Sequence, residues 1–252
     1  MPKFKLILAY DGTAYHGWQS QPSGRGVQDH VETALARLFP SAPRLESASR
    51  TDAGVHALGM VAHFEIPSAE FRMPARHLAL SINSGLPDDI RVRSATRVSE
   101  TFHARFDATG KQYRYQIWNH AAMNPLLRHH AWHVPQPLDL HAMRAAAAHF
   151  IGRHDFLAFT SNCPGVLTDS VRTLTRCEIQ RRGPELNIII EGDAFLYKMC
   201  RAITGTLIQV GQGRFQPEDV PAMLASRQRA TAGVNAPACG LVLWKVIYPK
   251  KN

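Results

Sequence analysis

The sequence predicts an α+β fold made of two ferredoxin-like or RRM-like units, each with a largely antiparallel sheet and helices on one face. Two observations predict it. Hydrophobic periodicity switches between strand and helix spacing in the order β-α-β-β-α-β across residues 4–98, and a similar succession of elements occupies the rest of the chain. Sequential strands of this kind pair antiparallel and gather their helices on one side. With 252 residues, 45% of them hydrophobic, the chain can bury two modest cores.

Residues 4–10 alternate, are rich in β-formers and stop at the turn signal Asp11-Gly12, so a strand opens the fold. Val27, Val31, Leu35 and Leu38 then recur at helical spacing until Pro40 ends the pattern. Strands are predicted at 44–49 and 61–66, a second helix at 74–86 and a strand at 90–98. The second half offers a strand at 111–118, an Ala-rich helix at 141–150, and strands at 173–181 and 186–191. Met199, Ile203, Leu207 and Val210 mark a helix that stops near Gly211 and Gly213, and residues 241–246 close with a strand. A boundary at 105–110 divides a half at 1–107 from one at 108–252, while 135–137 and 162–165 read as loops. The two halves are alike in architecture, without a matching residue-level repeat.

Lys and Arg number 29 against 20 Asp and Glu, for a formal charge of +9 and a sequence pI near 9.7. That excess suits a polyanionic partner, although many basic proteins never touch nucleic acid. The four cysteines, Cys163, Cys177, Cys200 and Cys239, form no Cys-x-x-Cys pair, which argues against a zinc knuckle or a disulfide framework and for a reduced, cytoplasmic setting. No apolar run approaches the ~18 residues of a membrane span, so no membrane association is expected. The thirteen histidines read as scattered over the surface, and the pair His129-His130 is not the i, i+4 pair on a helix that a metal site would use, so no metal is expected.

Chemistry concentrates at Arg50-Thr51-Asp52-Ala53-Gly54-Val55-His56. Gly54 can take positive φ and turn the backbone sharply, presenting the Asp52 carboxylate at the mouth of a sheet, and a nearby guanidinium would favour its charged form. The alternative is an ordinary Asx-turn, with Asp52 bonding its own backbone and Arg50 in solvent. Tyr113 shares a strand face with Tyr115 and Ile117, as a core tyrosine also would. Arg201 lies four residues before Gly205, a small residue that admits close packing, or else is a solvated helix residue.

The string Arg-Thr-Asp-x-Gly-Val-His resembles the signature of the tRNA pseudouridine synthase A family. Further blocks fit in order: Tyr10-Asp11-Gly12-Thr13 with Gly17-Trp18-Gln19-x-Gln21, then Val27-Gln28. Phe102-His103-Ala104-Arg105-Phe106 follows with Lys111-x-Tyr113-Arg114-Tyr115, then Phe195-Leu196-Tyr197-Lys198-Met199-Cys200-Arg201 with Gly205-Thr206-Leu207, and Ala236-Pro237-Ala238-x-Gly240-Leu241. The resemblance implies a cofactor-free, cytoplasmic isomerase that converts uridine to pseudouridine at positions 38, 39 and 40 of the tRNA anticodon stem-loop. It also implies a homodimer and a catalytic cleft between the two halves. By resemblance Asp52 is the nucleophile and Arg201 pairs with its carboxylate. Tyr113 packs on the target base and is a candidate proton acceptor, Arg50 holds the RNA and the flipped-out base, and His103 and Arg105 contact RNA. The half at 1–107 thus carries Asp52, and the half at 108–252 carries Tyr113 and Arg201.

Departures from the pattern are small: Ser49 replaces the usual Gly, and Lys198 and Cys200 stand where Asn or His and Val are commoner. An RNA-binding module without catalysis is the competing class, but the Gly- and aromatic-rich strand motifs of such modules are absent. A two-carboxylate glycosidase fails because no motif positions a second acid beside Asp52.

Overall fold

The computed structural model describes residues 1–161 and 169–249; Cys163 and the loop expected at 162–165 lie outside the described residues. The fold is α+β with mostly antiparallel strands, and it divides into two compact units, Met1–Thr109 with Leu243–Asn252, and Gly110–Val242.

In the first unit, strand β1 (Lys3–Tyr10) buries Phe4, Leu6, Leu8 and Tyr10 on one face, as its alternation predicts. Helix α1 (Val27–Leu38) buries Val27, Val31, Ala34 and Leu35. Asp29 Oδ2 accepts the Gly26 N–H at 2.9 Å at its start, and Phe39, held extended before Pro40, stops it. Strand β2 is only Glu46–Ser47 and pairs with β3 (His56–Glu65). The predicted helix at 74–86 is a 3₁₀ turn, Ala75–His77, followed by α2 (Leu78–Asn83), and β4 (Ile90–Val98) completes the set. The spatial order β4-β1-β3-β2 is antiparallel throughout, the split β-α-β arrangement. β3 begins five residues before its predicted start. It is buried almost continuously and so lacks the alternation that flags a half-exposed strand.

The second unit contains β5 (Gly110–Trp118), β6 (Trp132–His133), α3 (Leu140–Ala148), β7 (Gly152–Asp155), β8 (Val171–Arg182), β9 (Glu185–Gly192), α4 (Met199–Gly211) and α5 (Asp219–Ser226). Its order is β5-β9-β8-β7, antiparallel, with β6 parallel to β5. Tyr115, Ile117, Leu186, Ile188, Ile190 and Cys177 from the sheet, Met143 and Ala146 from α3, and Ile203 and Leu207 from α4 are all buried. Asp139 caps α3, its Oδ1 accepting the N–H groups of His141 and Ala142 at 2.8 and 3.0 Å. The strand β10 (Leu241–Ile247) enters the first unit from Leu243, where the Trp244 carbonyl lies so near Gly59 that a Cβ there would sit 2.5 Å from it. Cys177 carries a free thiol, and burial pushes it up to about 12. Among the described residues, no helix is long and apolar enough to cross a membrane.

Helix α4 starts from a residue under strain. Lys198 sits in the left-handed region at φ 59°, with its ammonium 4.8 Å from the Tyr197 ring centroid. A left-handed lysine costs about 1–2 kcal/mol, while the exposed cation–π contact returns ~0.5 kcal/mol. Lys198→Asn, which tolerates that backbone, is expected to raise the unfolding free energy by about 0.5–1 kcal/mol in denaturant titrations. An equal or lower midpoint at unchanged slope would contradict this.

Candidate active site

Asp52 lies on the loop between β2 and β3, half-buried, with Arg50 exposed and Thr51 and Val55 buried on either side. The loop closes in a turn: the Val55 N–H donates to the Asp52 carbonyl at 3.1 Å, with Gly54 at φ 76° in the third position. An Asx-turn would draw the Gly54 N–H onto the Asp52 carboxylate. That N–H instead donates to the Tyr15 carbonyl at 3.3 Å, so main-chain groups form this bend.

The segment after β1 is what holds the loop, a role its motif carries but spacing alone does not reveal. The Trp18 N–H donates to the Thr51 carbonyl at 3.1 Å, and the Tyr10 hydroxyl and Thr51 Oγ1 share a buried hydrogen bond of 2.8 Å. The Gly12 N–H reaches His56 Nδ1 at 3.0 Å. The approach is backbone to backbone: a Cβ on Gly12 would fall 2.1 Å from the Val55 carbonyl oxygen, and one on Gly17, at φ 91°, 2.5 Å from that of Thr51. The same segment starts α1, since the Val27 and Gln28 N–H groups donate to the Gly17 and Trp18 carbonyls. Tyr15 is anchored below by its hydroxyl bond to Asp89 Oδ1 at 2.5 Å, and burial, reinforced by that carboxylate, pushes its phenol well above the usual range.

His103 and Arg105 occupy the 102–107 loop of the same unit. His103 Nε2 lies 2.8 Å from Glu46 Oε2, and Nδ1 accepts the N–H groups of Arg105 and Phe106 at 3.1 and 3.3 Å. Glu46, His63 and His103 each bring a possible ligand atom within 4.8 Å of the others. Their hydrogen bonds fit a metal poorly. Each imidazole already uses its Nδ1 lone pair, His63 on the Ala104 N–H at 3.2 Å, so each proton sits on Nε2 and His103 donates to Glu46. The trio is a clasp for the loop.

In the second unit, Tyr113 is 6% exposed on β5, its ring edge-to-face with Phe195 at 5.0 Å. Tyr115 is the wholly buried core tyrosine of that face, its hydroxyl donating to the Pro237 carbonyl at 2.7 Å. Burial pushes this phenol far up, against a smaller opposing pull from Arg201. Arg201 is more than a solvated helix residue: Nε donates to the Ala236 carbonyl at 2.7 Å, and its own carbonyl accepts the Ala236 N–H at 3.0 Å. Gly205 permits this, because a Cβ there would lie 1.7 Å from the Val234 carbonyl oxygen. The Ala236-Pro237 motif thus supplies two carbonyls, one for the arginine and one for the core tyrosine.

Two outcomes follow from this geometry. Gly17→Ala adds both a steric overlap and a disfavoured φ, and is expected to cost about 2–4 kcal/mol. Thermal melting should register a drop of roughly 5–15 °C, and a melting point within about a degree of the parent would refute the close approach. The second concerns pH. Burial, helped by His103 and Lys3 and opposed by Glu46 and Glu65, holds the His63 imidazole below its ordinary value of about 6.5. On acidification the unfolded chain binds that proton first. Stability is therefore lost as the pH falls below about 6.5, and levels off once the folded site titrates too. His63→Gln should melt with a shallower acid-side decline than the parent, and parallel curves would exclude the effect.

The chain matches a family model described as tRNA pseudouridine synthase over residues 6–107 and 146–249. It is 45% identical over 248 residues to tRNA pseudouridine synthase A of Acetivibrio thermocellus, covering 98% of this chain and 100% of that one. To the proteins of the same name from Geotalea uraniireducens and an Exiguobacterium species it is 44% and 43% identical, over 98% and 99% of its length and 100% and 99% of theirs. With the signature loop folded around Asp52 and the match running through both units, the chain belongs to the tRNA pseudouridine synthase family.

Proposed function

We propose that this protein isomerises uridine to pseudouridine in tRNA, at positions 38, 39 and 40 of the anticodon stem-loop. The observation that carries the reading is the Arg50-Thr51-Asp52 loop, a half-buried carboxylate on a turn built by main-chain hydrogen bonds and beside an exposed arginine.

The reaction breaks the N1–C1′ glycosidic bond, turns the uracil within the site and joins C5 to C1′. The proton released from C5 balances the one gained at N1, so no redox partner is needed. Asp52 is the nucleophile, acting at the sugar or the base, or assisting proton removal from the sugar. Arg201 pairs with the carboxylate and aims it, its Nε fixed by Ala236. Tyr113 offers a ring face for stacking and a hydroxyl as late proton acceptor. Arg50, His103 and Arg105 contact the RNA. The target must leave its stack, at a cost of about a few kcal/mol that phosphate contacts offset. Water must stay out while the base is detached. A homodimer in the cytoplasm, with tRNA bound by both subunits, completes the proposal.

Purified protein incubated with unmodified tRNA, followed by pseudouridine mapping, tests it. Modification is expected at 38–40, and Asp52→Asn should reduce it below detection while the Kd for tRNA stays within about threefold, since a neutral isostere changes little phosphate contact. Full activity of that variant would overturn the assignment. Wild-type protein that binds tRNA tightly and forms no pseudouridine would favour the binding module instead. In Tyr113→Phe, a small change in rate identifies stacking as the role of the ring, and a large one identifies proton transfer.

A further inference from the structure

The 102–107 loop ends in Phe106, whose side chain is 74% exposed. A lone apolar residue at a surface is ordinary. What sets this one apart is its mount. Four consecutive backbone N–H groups, of His103, Ala104, Arg105 and Phe106, donate to the side chains of Asp107, His63 and His103 at 3.0–3.3 Å. The loop carbonyls are tied as well, that of Phe102 to Lys3 Nζ at 2.9 Å and that of Ala104 to the Tyr248 hydroxyl at 2.6 Å. The loop is thus rigid while its tip faces water.

The surroundings of the ring point to a particular occupant. His103 packs against it at 4.2 Å between centroids, tilted 34°, and the Arg105 guanidinium lies over it at 5.8 Å, the outer limit of cation–π contact. A cation held that loosely can give way to a planar group and turn to an anion. Both acids at the loop have a hydrogen-bond partner, Asp107 the His103 N–H and Glu46 the His103 ring. The exposed tip of the loop carries an aromatic face, Phe106, and a positive charge, Arg105. Nucleobase and phosphate match that pair. The loop is also coupled to the site: Glu46 and His63 are register partners across β2 and β3, and β2 runs into the Asp52 loop.

We infer that Phe106 is a stacking platform for an unpaired nucleobase of the RNA substrate, with Arg105 taking the adjacent phosphate. The inference rests on the tRNA reading above and assigns a specificity-determining contact outside the catalytic trio of Asp52, Tyr113 and Arg201. A rigid aromatic suits this role because little side-chain or loop freedom is lost on binding.

Steady-state pseudouridine formation and direct tRNA binding, measured on Phe106→Ala, Phe106→Leu and Phe106→Trp, test it. Phe106→Ala should raise KM and Kd about tenfold with kcat at saturation within about twofold and an unchanged melting point. Phe106→Trp should bind at least as tightly as the parent, and Phe106→Leu, apolar but without a π face, should be as weak as alanine. The inference is overturned if alanine leaves Kd unchanged, or if leucine restores it. It is also overturned if light scattering shows that alanine lowers the oligomer mass while tRNA affinity persists, which makes the ring a protein contact. Absence of pseudouridine with the wild-type protein would defeat the tRNA reading instead, and the binding arms report on the platform separately.

Discussion

Most of the first unit hangs on the contact between the backbone after β1 and the loop before β3. Where Gly12 and Gly17 meet Val55 and Thr51, no side chain separates the two chains. From that contact follow the bend that carries Asp52, the first residues of β3 and the N-terminus of α1, whose N–H groups are taken by the Gly17 and Trp18 carbonyls. Main-chain hydrogen bonds place the loop without relying on long side chains that must each be frozen into one rotamer. A reacting carboxylate must be held within about 0.5 Å of its working position, and a mount of this kind is suited to that.

The second unit applies the same device to different residues. Gly205, Gly233 and Gly240 lie so close to Val234, Thr206 and Tyr115 that none could carry a Cβ, so the segment 233–240 lies flush on α4 and β5. Flush packing turns the segment's carbonyls into fixed acceptors, one for the Arg201 Nε and one for the Tyr115 hydroxyl. A guanidinium with one edge tied to a carbonyl has lost most of its freedom, and its remaining N–H groups have a set direction. Tyr115 is fixed by its hydroxyl and buried entirely. Tyr113, two residues earlier on the same face, meets Phe195 edge-to-face at 5.0 Å between centroids.

Elements with a clear period were legible in the sequence. β1, α1, β4 and α4 carry apolar residues at strand or helix spacing, and periodicity locates them within a residue or so. Elements without a period were not. β7 is Gly-Arg-His-Asp, polar throughout, and exists because β8 offers it an edge; β6 is two residues parallel to β5. α5 carries Pro221 in its first turn, which a helix tolerates but which reads as a breaker along the chain. The predicted helix at 74–86 shortened because Pro74 leads into a 3₁₀ turn and regular helix persists only to Asn83. Site residues divide in the same way. Asp52 could be singled out by its motif, whereas the glycine clamp that holds it depends on contacts between residues some forty positions apart, which no local pattern encodes.

The main-chain origin of the Asp52 turn bears on why an acid stands there at all. An Asx-turn would explain the residue by local folding, as it does for many aspartates in turns. Instead the Gly54 N–H goes to Tyr15 and the Val55 N–H to the carbonyl of residue 52, bonds that any amino acid at that position could support. Glycine supplies the positive φ at 54, and burial of Thr51 and Val55 on either side fixes the loop's depth. These main-chain bonds therefore specify where residue 52 is without calling on its side chain. A half-buried carboxylate at such a site forgoes part of its hydration, and the main-chain bonds of the turn do not themselves require it.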